Sequence, residues 1–107
     1  MENKFVVVVR PDGKAEKTAW DEKSGLSRLQ ELVGGYIETT PTVKRKYLLV
    51  VNEEGKLLGL PVNGKATVAC LFPDTIVGTA VLMKAGKEDL EPMDDAEAEE
   101  WLEFLEF

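Results

Sequence analysis

Histidine is absent from all 107 residues of the chain. Its absence removes the usual general base near neutral pH, the Ser-His and Cys-His catalytic pairs and nearly every common zinc site. Cysteine occurs once, as Cys70, so an intramolecular disulfide is impossible. The apolar neighbours of Cys70 in "TVACLF" favour a buried structural thiol over a reactive one. The sequence therefore predicts no catalytic residues, no metal site and no cofactor, and it favours a protein that is not an enzyme.

Long apolar runs are also missing. The stretch "MENKFVVVVR" has an acidic residue and only four valines after Phe5, which is too short for a signal peptide. The apolar run "TIVGTAVLM" is about half of a membrane span. We therefore expect a cytoplasmic protein without membrane association. Since 44% of the residues are hydrophobic, the chain can build one ordinary core, and we expect a single domain over residues 1–107.

Basic residues are missing from the last part of the chain. The net charge is −7, and residues 88–107 hold ten acidic residues and no lysine or arginine. Phosphate binding needs a basic face, so direct binding of nucleic acid is not expected. A basic protein partner, in contrast, would be attracted to such a segment.

The first half of the chain predicts two strands and a helix. Both alternating sets of residues in "KFVVVVR" are apolar, which indicates a central strand covered on both faces. "PDGK" is typical of a tight turn, and "KAEKTAW" then predicts a strand that pairs back. Apolar residues at helical spacing follow, namely Leu26, Leu29, Leu32 and Val33. We predict that Ser24 caps this helix and that Gly34 ends it.

The second half predicts more strands and a final helix. "YIETT", "VKRKYLLVV", "KLLGL" and "DTIVGTAVLM" are typical of strands, with "NEEG" as a hairpin turn and Gly78 as a bulge or a close backbone approach. "PVNGKATV" leaves two structures open, a tight turn at Asn63-Gly64 or a short helix over residues 65–71 capped by Asn63.

The end of the chain, "PMDDAEAEEWLEFLEF", predicts an acidic amphipathic helix, because Asp94 and Glu97 have the spacing of a capping box. Its predicted inward stripe consists of Ala98, Trp101, Leu102 and Leu105. The predicted fold class is α+β: a mainly antiparallel sheet with one helix after the first hairpin and a C-terminal acidic amphipathic helix.

Two adjacent glycines in "LQELVGGYIETT" raise the question of a ligand site. Gly34 and Gly35 follow a helix, whose free carbonyls and negative end repel phosphate, so they are interpreted as residues that turn the chain. Gly35 could also let the backbone pass close to another strand or a ligand. Tyr36 and Glu38 share a strand face, and Asn63 is either a turn or cap residue or a hydrogen-bonding group in a pocket. Tyr36, Glu38 and Asn63 around the double glycine define the alternative hypothesis, a small-molecule site for a nucleotide-like ligand.

Other carboxylates have ordinary explanations. Glu53 and Glu54 are expected at a hairpin tip exposed to water, which lacks the burial that paired carboxylates need for acid–base work. Asp74 either begins the next strand or ligates a metal, and no calcium-loop spacing supports the second alternative.

The acidic terminal helix has three interpretations. Its charge serves solubility, or it docks on a basic protein, or its carboxylates imitate the phosphates of DNA and occupy a nucleic-acid-binding protein. Glu97 and Glu100 are the candidate charged contacts. Phe104 and Phe107 lie off the apolar stripe, and if both are exposed they supply an anchor for a partner.

Three motifs, "LQELVGGYIE", "VVNEEGKLLGLPVN" and "DTIVGTAVLM", resemble the DUF3846 family, a domain of unknown function, over residues 26–83. The family-pattern positions are Gly34, Gly35, Tyr36, Ile37, Glu38, Asn52, Glu53, Gly55, Leu60, Pro61, Asn63 and Gly78. After Asn63 the chain departs from the pattern, since "GKATVACLFPD" stands where the family usually has an arginine and a longer acidic stretch.

The resemblance implies a setting in phages, plasmids and conjugative elements of bacteria. Our leading hypothesis is therefore a non-catalytic accessory protein of a phage or mobile element that binds a macromolecular partner, such as a basic or nucleic-acid-binding protein.

Overall fold

The computed structural model describes residues 4–87 and 89–107. The strands in these ranges are β1 (Phe5–Val9), β2 (Ala15–Ala19), β3 (Ile37–Pro41), β4 (Tyr47–Asn52), β5 (Ala80–Ala85) and β6 (Leu90–Glu91). The helices are α1 (Gly25–Val33), α2 (Gly64–Ala69) and α3 (Asp95–Phe104). The strands form one antiparallel sheet, so the predicted α+β class with its C-terminal helix is confirmed. Within the described ranges, no helix is long and apolar enough to cross a membrane.

The sheet has the strand order β2-β1-β5-β4-β3, and β6 pairs with the end of β5. The prediction that β1 is a central strand covered on both faces is confirmed. Val7 and Val9 pack in the core under α2 and α3, whereas Val6 and Val8 pack on the opposite face with α1. Each strand residue lies on the opposite face from its neighbour, which is why a run of four valines can fill two cores.

Helix α1 ends as predicted, but its start differs. Gly34 has φ +81 and closes the helix through its backbone amide. The predicted cap at Ser24 is wrong: its backbone is already helical, and its hydroxyl donates to the Asp21 carboxylate at 3.3 Å instead. Leu26 is exposed, contrary to the predicted stripe, because the helix rests on the sheet through its later residues Leu29 and Val33.

The predicted strand at "KLLGL" is wrong. The side chain of Asn52 accepts a hydrogen bond from the Glu54 amide, and the amide of Leu58 bonds back to the Glu54 carbonyl. These local bonds fold the segment into turns and use the backbone groups that a strand ladder would need. Strand β6 was not predicted, since Leu90 and Glu91 are too short a segment to show a period.

Candidate functional site

Helix α3 begins with the predicted capping box. The Asp94 carboxylate accepts from the Glu97 amide at 2.8 Å, and the Glu97 carboxylate accepts from the Asp94 amide at 3.1 Å. Ala98, Trp101 and Leu105 are buried against the sheet. The helix is therefore anchored at its first turn and along one stripe, and Leu102 beside that stripe is half-buried.

Glu97 is turned into the fold rather than toward solvent. Its side chain is 19% exposed, accepts a hydrogen bond from the Tyr47 hydroxyl and lies 3.2 Å from the Lys84 ammonium. Burial raises the pKa of Tyr47, and the hydrogen bond to Glu97 raises it further. Burial alone would raise the pKa of Glu97, but the hydrogen bonds from Tyr47, the Asp94 amide and Lys84 together lower it. Glu97 thus joins α3 to β4 and β5, which leaves little of its carboxylate for a partner.

We expect Glu97→Gln to lower the free energy of unfolding by about 1–2 kcal/mol at pH 7, because the cap weakens and the charge that Lys84 faces is lost. The pKa of Glu97 is lowered in the fold, so its contribution is present above the ordinary value of 4.5 and is lost as pH falls through the folded value. Urea unfolding of both proteins at pH 7 and in the acid range below 4.5 measures the difference. Glu103→Gln, at an exposed position, is the control. An equal difference at both pH values would contradict this role.

A row of carboxylates follows the flank of α3 that faces β2 and ends just beyond the helix. Its members are Asp95, Glu99, Glu103 and Glu106. Lys17 of β2 contacts Asp95 and lies 2.8 Å from the Glu99 carboxylate, and the hydrogen bonds to these two groups raise the pKa of Lys17. In the described ranges, no lysine or arginine nitrogen lies within 4.0 Å of three other carboxylates, those of Glu100, Glu103 and Glu106. The end of the helix therefore carries negative charge that is free of ion pairs, and Lys44 and Lys65 border it.

Aromatic side chains accompany this free charge. Trp101 is buried and meets Phe104 edge to face at a centroid distance of 5.4 Å. The Lys44 ammonium lies 4.8 Å from the Trp101 ring and 5.3 Å from the Phe104 ring. Phe104 is 37% exposed and Phe107 is 69% exposed. Both residues of the predicted anchor are thus accessible, Phe107 more than Phe104.

A groove separates the end of α3 from the start of β2. Its lining consists of Gly13, Ala15, Lys65, Glu99, Leu102, Glu103, Leu105 and Glu106. Leu102 and Ala15 pack against the core, so the groove has an apolar floor. Three carboxylates border it, together with Lys65, whose ammonium lies 5.3 Å from the centre of the Phe107 ring. Reasoning from the sequence missed this groove, because the flank of α3 that borders β2 depends on how the helix packs.

The two adjacent glycines turn the chain, as the favoured interpretation states. Gly34 caps α1, and a Cβ on Gly35 would lie only 2.9 Å from the Asn52 side-chain nitrogen. That nitrogen donates to the Val33 carbonyl at 3.1 Å. Gly35 therefore lets the end of α1 approach the end of β4, so the close approach is to another strand.

The residues of the alternative small-molecule site are not brought together. Glu38 lines a cleft of about 130 Å³ whose other lining residues are 51–57 and 74–77. Tyr36 and Asn63 are not part of this lining, and Tyr36 is exposed. Asp74, also in the lining, lies 2.6 Å from the Lys56 ammonium, which lowers the pKa of Asp74. In the part of the chain that the structure describes, no three acidic or cysteine side chains are grouped so as to hold a metal.

Asn63 is fully buried and acts as a cap. Its amide nitrogen donates to the carbonyls of Val9 at 2.9 Å and Gly78 at 2.8 Å, and its oxygen accepts from the Ala66 amide at 3.1 Å. The short-helix alternative is therefore confirmed, although the helix covers Gly64–Ala69. Every one of these bonds lies inside the fold.

The motif residues invite comparison with known proteins. A family model described as a domain of unknown function (DUF3846) matches residues 1–106. The chain belongs to the DUF3846 family. Comparisons with curated proteins and with solved structures gave no match.

Structural roles can now be given to several motif positions of this DUF3846 member. A Cβ on Gly55 would lie 2.8 Å from the Val77 side chain, and a Cβ on Gly78 would lie 2.7 Å from the Leu60 side chain. Gly78 also has φ +75, which disfavours other residues. These glycines let the "NEEGKLLGLPVN" segment pack closely against residues 76–78, as the predicted close approach at Gly78 implies.

Proposed function

We propose that this DUF3846 protein is a non-catalytic binding protein, and that the C-terminal half of α3 docks on a basic surface of another protein. One observation carries the proposal. The carboxylates of Glu100, Glu103 and Glu106 are exposed, without ion pairs in the described ranges, next to the accessible ring of Phe104. An aromatic anchor within a charged rim is the composition from which protein interfaces are built.

Charge and rings would contribute differently to such a complex. The carboxylates attract a basic partner from a distance, which raises the association rate and makes binding sensitive to salt. The rings of Phe104 and Phe107 supply apolar area that leaves water on docking. Phosphate groups would be repelled by the same surface, so nucleic acid is not the proposed partner. A nucleic-acid-binding protein is a suitable one, because carboxylates can occupy the place of phosphates.

The resemblance to the family supports the setting. We place the protein in the cytoplasm, as an accessory protein of a phage or mobile element. A small-molecule module remains the second candidate, and the cleft at Glu38 is the observation that favours it. Of the three polar residues proposed for that ligand, Glu38 alone lines the cleft.

Affinity capture from host-cell lysate tests the proposal. The test variant combines Glu100→Gln, Glu103→Gln and Glu106→Gln, which removes charge without breaking an ion pair of the described structure. The matched control, Glu38→Gln with Glu53→Gln and Glu54→Gln, changes the net charge equally and alters the cleft instead. We expect a basic protein that the native chain and the control retain and the test variant loses. Retention by all three proteins, or loss from the control alone, would contradict the proposal.

A further inference from the structure

Strand β2 is an edge of the sheet with an open side. Every second residue along β2 and its neighbouring residues forms backbone hydrogen bonds with the β1 side. Two examples are the bonds from the Arg10 amide to the Lys14 carbonyl and from the Trp20 amide to the Lys4 carbonyl. The residues between them turn their amides and carbonyls away from the sheet; they are Ala15, Lys17 and Ala19. No hydrogen bond to these outward groups is made within residues 4–87 and 89–107.

The other edge, β3, is less open. The Leu71 amide bonds to the Pro41 carbonyl at 3.0 Å, and the Val43 amide bonds to the Ala69 carbonyl at 2.9 Å. The end of α2 and the residues after it therefore cover one end of β3, which leaves Ile37 and Thr39 with outward groups. An uncovered strand edge is a template on which an extended peptide can pair. On this criterion β2 is the better template.

The carboxylates beside β2 determine which side chains an added strand should carry. The register places Ala15 opposite Val9 and Lys17 opposite Val7, so these side chains lie on the face that α3 covers. An added strand would direct every second side chain to the same face. There it would meet the groove with its apolar floor and the carboxylates of Glu103 and Glu106.

We propose that the edge of β2 accepts an extended segment of a partner protein with a basic residue at every second position. The backbone of this segment would continue the sheet beyond β2, and its lysine or arginine side chains would reach the acidic flank of α3. This inference rests on the proposed function, since the same helix supplies the charge, and it adds the mode of binding and the sequence pattern of the partner.

A second copy of the chain fits this edge poorly. A copy of β2 would bring one cation to that face, Lys17, whose ammonium already contacts Asp95 and Glu99 of its own chain. Each copy also has a net charge of −7, which opposes association.

Synthetic peptides test the inference on the whole protein. The probe is a capped peptide of about nine residues, a usual strand length, in which lysine alternates with threonine. One control has the same composition with its lysines consecutive, and another is the probe N-methylated at every residue, which keeps the charge and removes the amide donors. We expect the probe to slow hydrogen exchange at the amides of Ala15, Lys17 and Ala19. Since two or three hydrogen bonds are lost, we expect the methylated peptide to bind at least about tenfold more weakly.

Two proline variants provide the same test by changing the protein instead of the peptide. Ala19→Pro removes an outward amide of β2 without removing a bond to β1, and Thr39→Pro does the same at β3. We expect Ala19→Pro to weaken binding of the probe and Thr39→Pro to leave it unchanged. The methylated peptide requires no change in the protein, so the test holds even where a proline lowers stability.

Three results would overturn strand addition. The first is no binding of the probe to the native protein, and the second is protection of the β2 amides by self-association without peptide. The third is equal binding of the plain and the methylated peptide, with no change in hydrogen exchange at the outward amides of β2. If Glu103→Gln with Glu106→Gln abolishes binding in that third case, α3 binds basic segments without strand addition. The proposed function would then stand, and this inference would fail.

Discussion

Asn63→Asp should lower the free energy of unfolding by about 4 kcal/mol at pH 7, a large part of the 5–15 kcal/mol typical of a domain. The substitution keeps the shape of the side chain. It replaces an amide nitrogen that donates to the Val9 and Gly78 carbonyls with an oxygen that faces them. The new carboxylate would be fully buried beside two carbonyl oxygens. Urea unfolding, followed by circular dichroism, measures the loss.

The pH dependence separates charge from lost bonds. Burial next to carbonyls raises the pKa of the introduced carboxyl above its unfolded value, so the native state binds the proton more tightly. The stability deficit should therefore shrink as pH falls through that raised value, since the protonated group can donate to one carbonyl. Asn63→Ala lacks the charge and should be less damaging at pH 7, without this recovery. An Asn63→Asp protein as stable as the native one would contradict the assigned role.

Trp101→Ala should lower the free energy of unfolding by about 3–5 kcal/mol, the usual cost of truncating a buried tryptophan. The side chain is 1% exposed and meets the rings of Tyr47 and Phe104 edge to face. Its removal leaves a cavity where α3 packs on the sheet, and the helix then loses its main anchor. Thermal and urea unfolding measure the effect.

Phe104→Ala is the matched control for that prediction. Phe104 contacts the same tryptophan but is partly exposed, so its truncation should cost about 1 kcal/mol. In partner capture, Phe104→Ala should keep the fold and still reduce the amount of partner that the protein retains. Equal destabilisation by the two substitutions would contradict the division between a buried anchor and an accessible ring.

The elements that were predictable from the sequence are those decided within a few residues. The run of four valines indicated a central strand covered on both faces, Gly34 ended α1, and the spacing of Asp94 and Glu97 marked the start of α3. Each feature depends on a local backbone conformation or a bond within one turn. These features are determined by neighbouring side chains, and the folded protein retains them.

The predictions that failed depended on competing partners. Ser24 has the chemistry of a cap, but Asp21 takes its hydroxyl and its backbone stays helical. "KLLGL" is apolar enough for a strand, but the Asn52 side chain folds the start of that loop into turns. In both segments a nearby carboxylate or amide side chain forms a hydrogen bond, and the intrinsic preference of a residue type for a cap or a strand does not include such a bond.

The candidate site depended still more on tertiary structure. Glu97 and Glu100 were both candidate contacts for a partner, yet Glu97 is bonded to Tyr47 and Lys84 whereas Glu100 is exposed. The groove beside β2 exists because α3 packs over β1 and β2. The contact between Lys17 and Asp95 spans 78 positions of the chain, which no short pattern can reveal.

Backbone amide chemical shifts, recorded on the labelled protein with the captured basic partner, test the central claim most directly. The account predicts that the largest changes fall on the C-terminal half of α3, with further changes at Ala15, Lys17 and Ala19 if the partner adds a strand. Added salt should reduce all of them together. Changes centred on Glu38 and on residues 53–57, with α3 unaffected, would contradict the account and favour a ligand in the cleft.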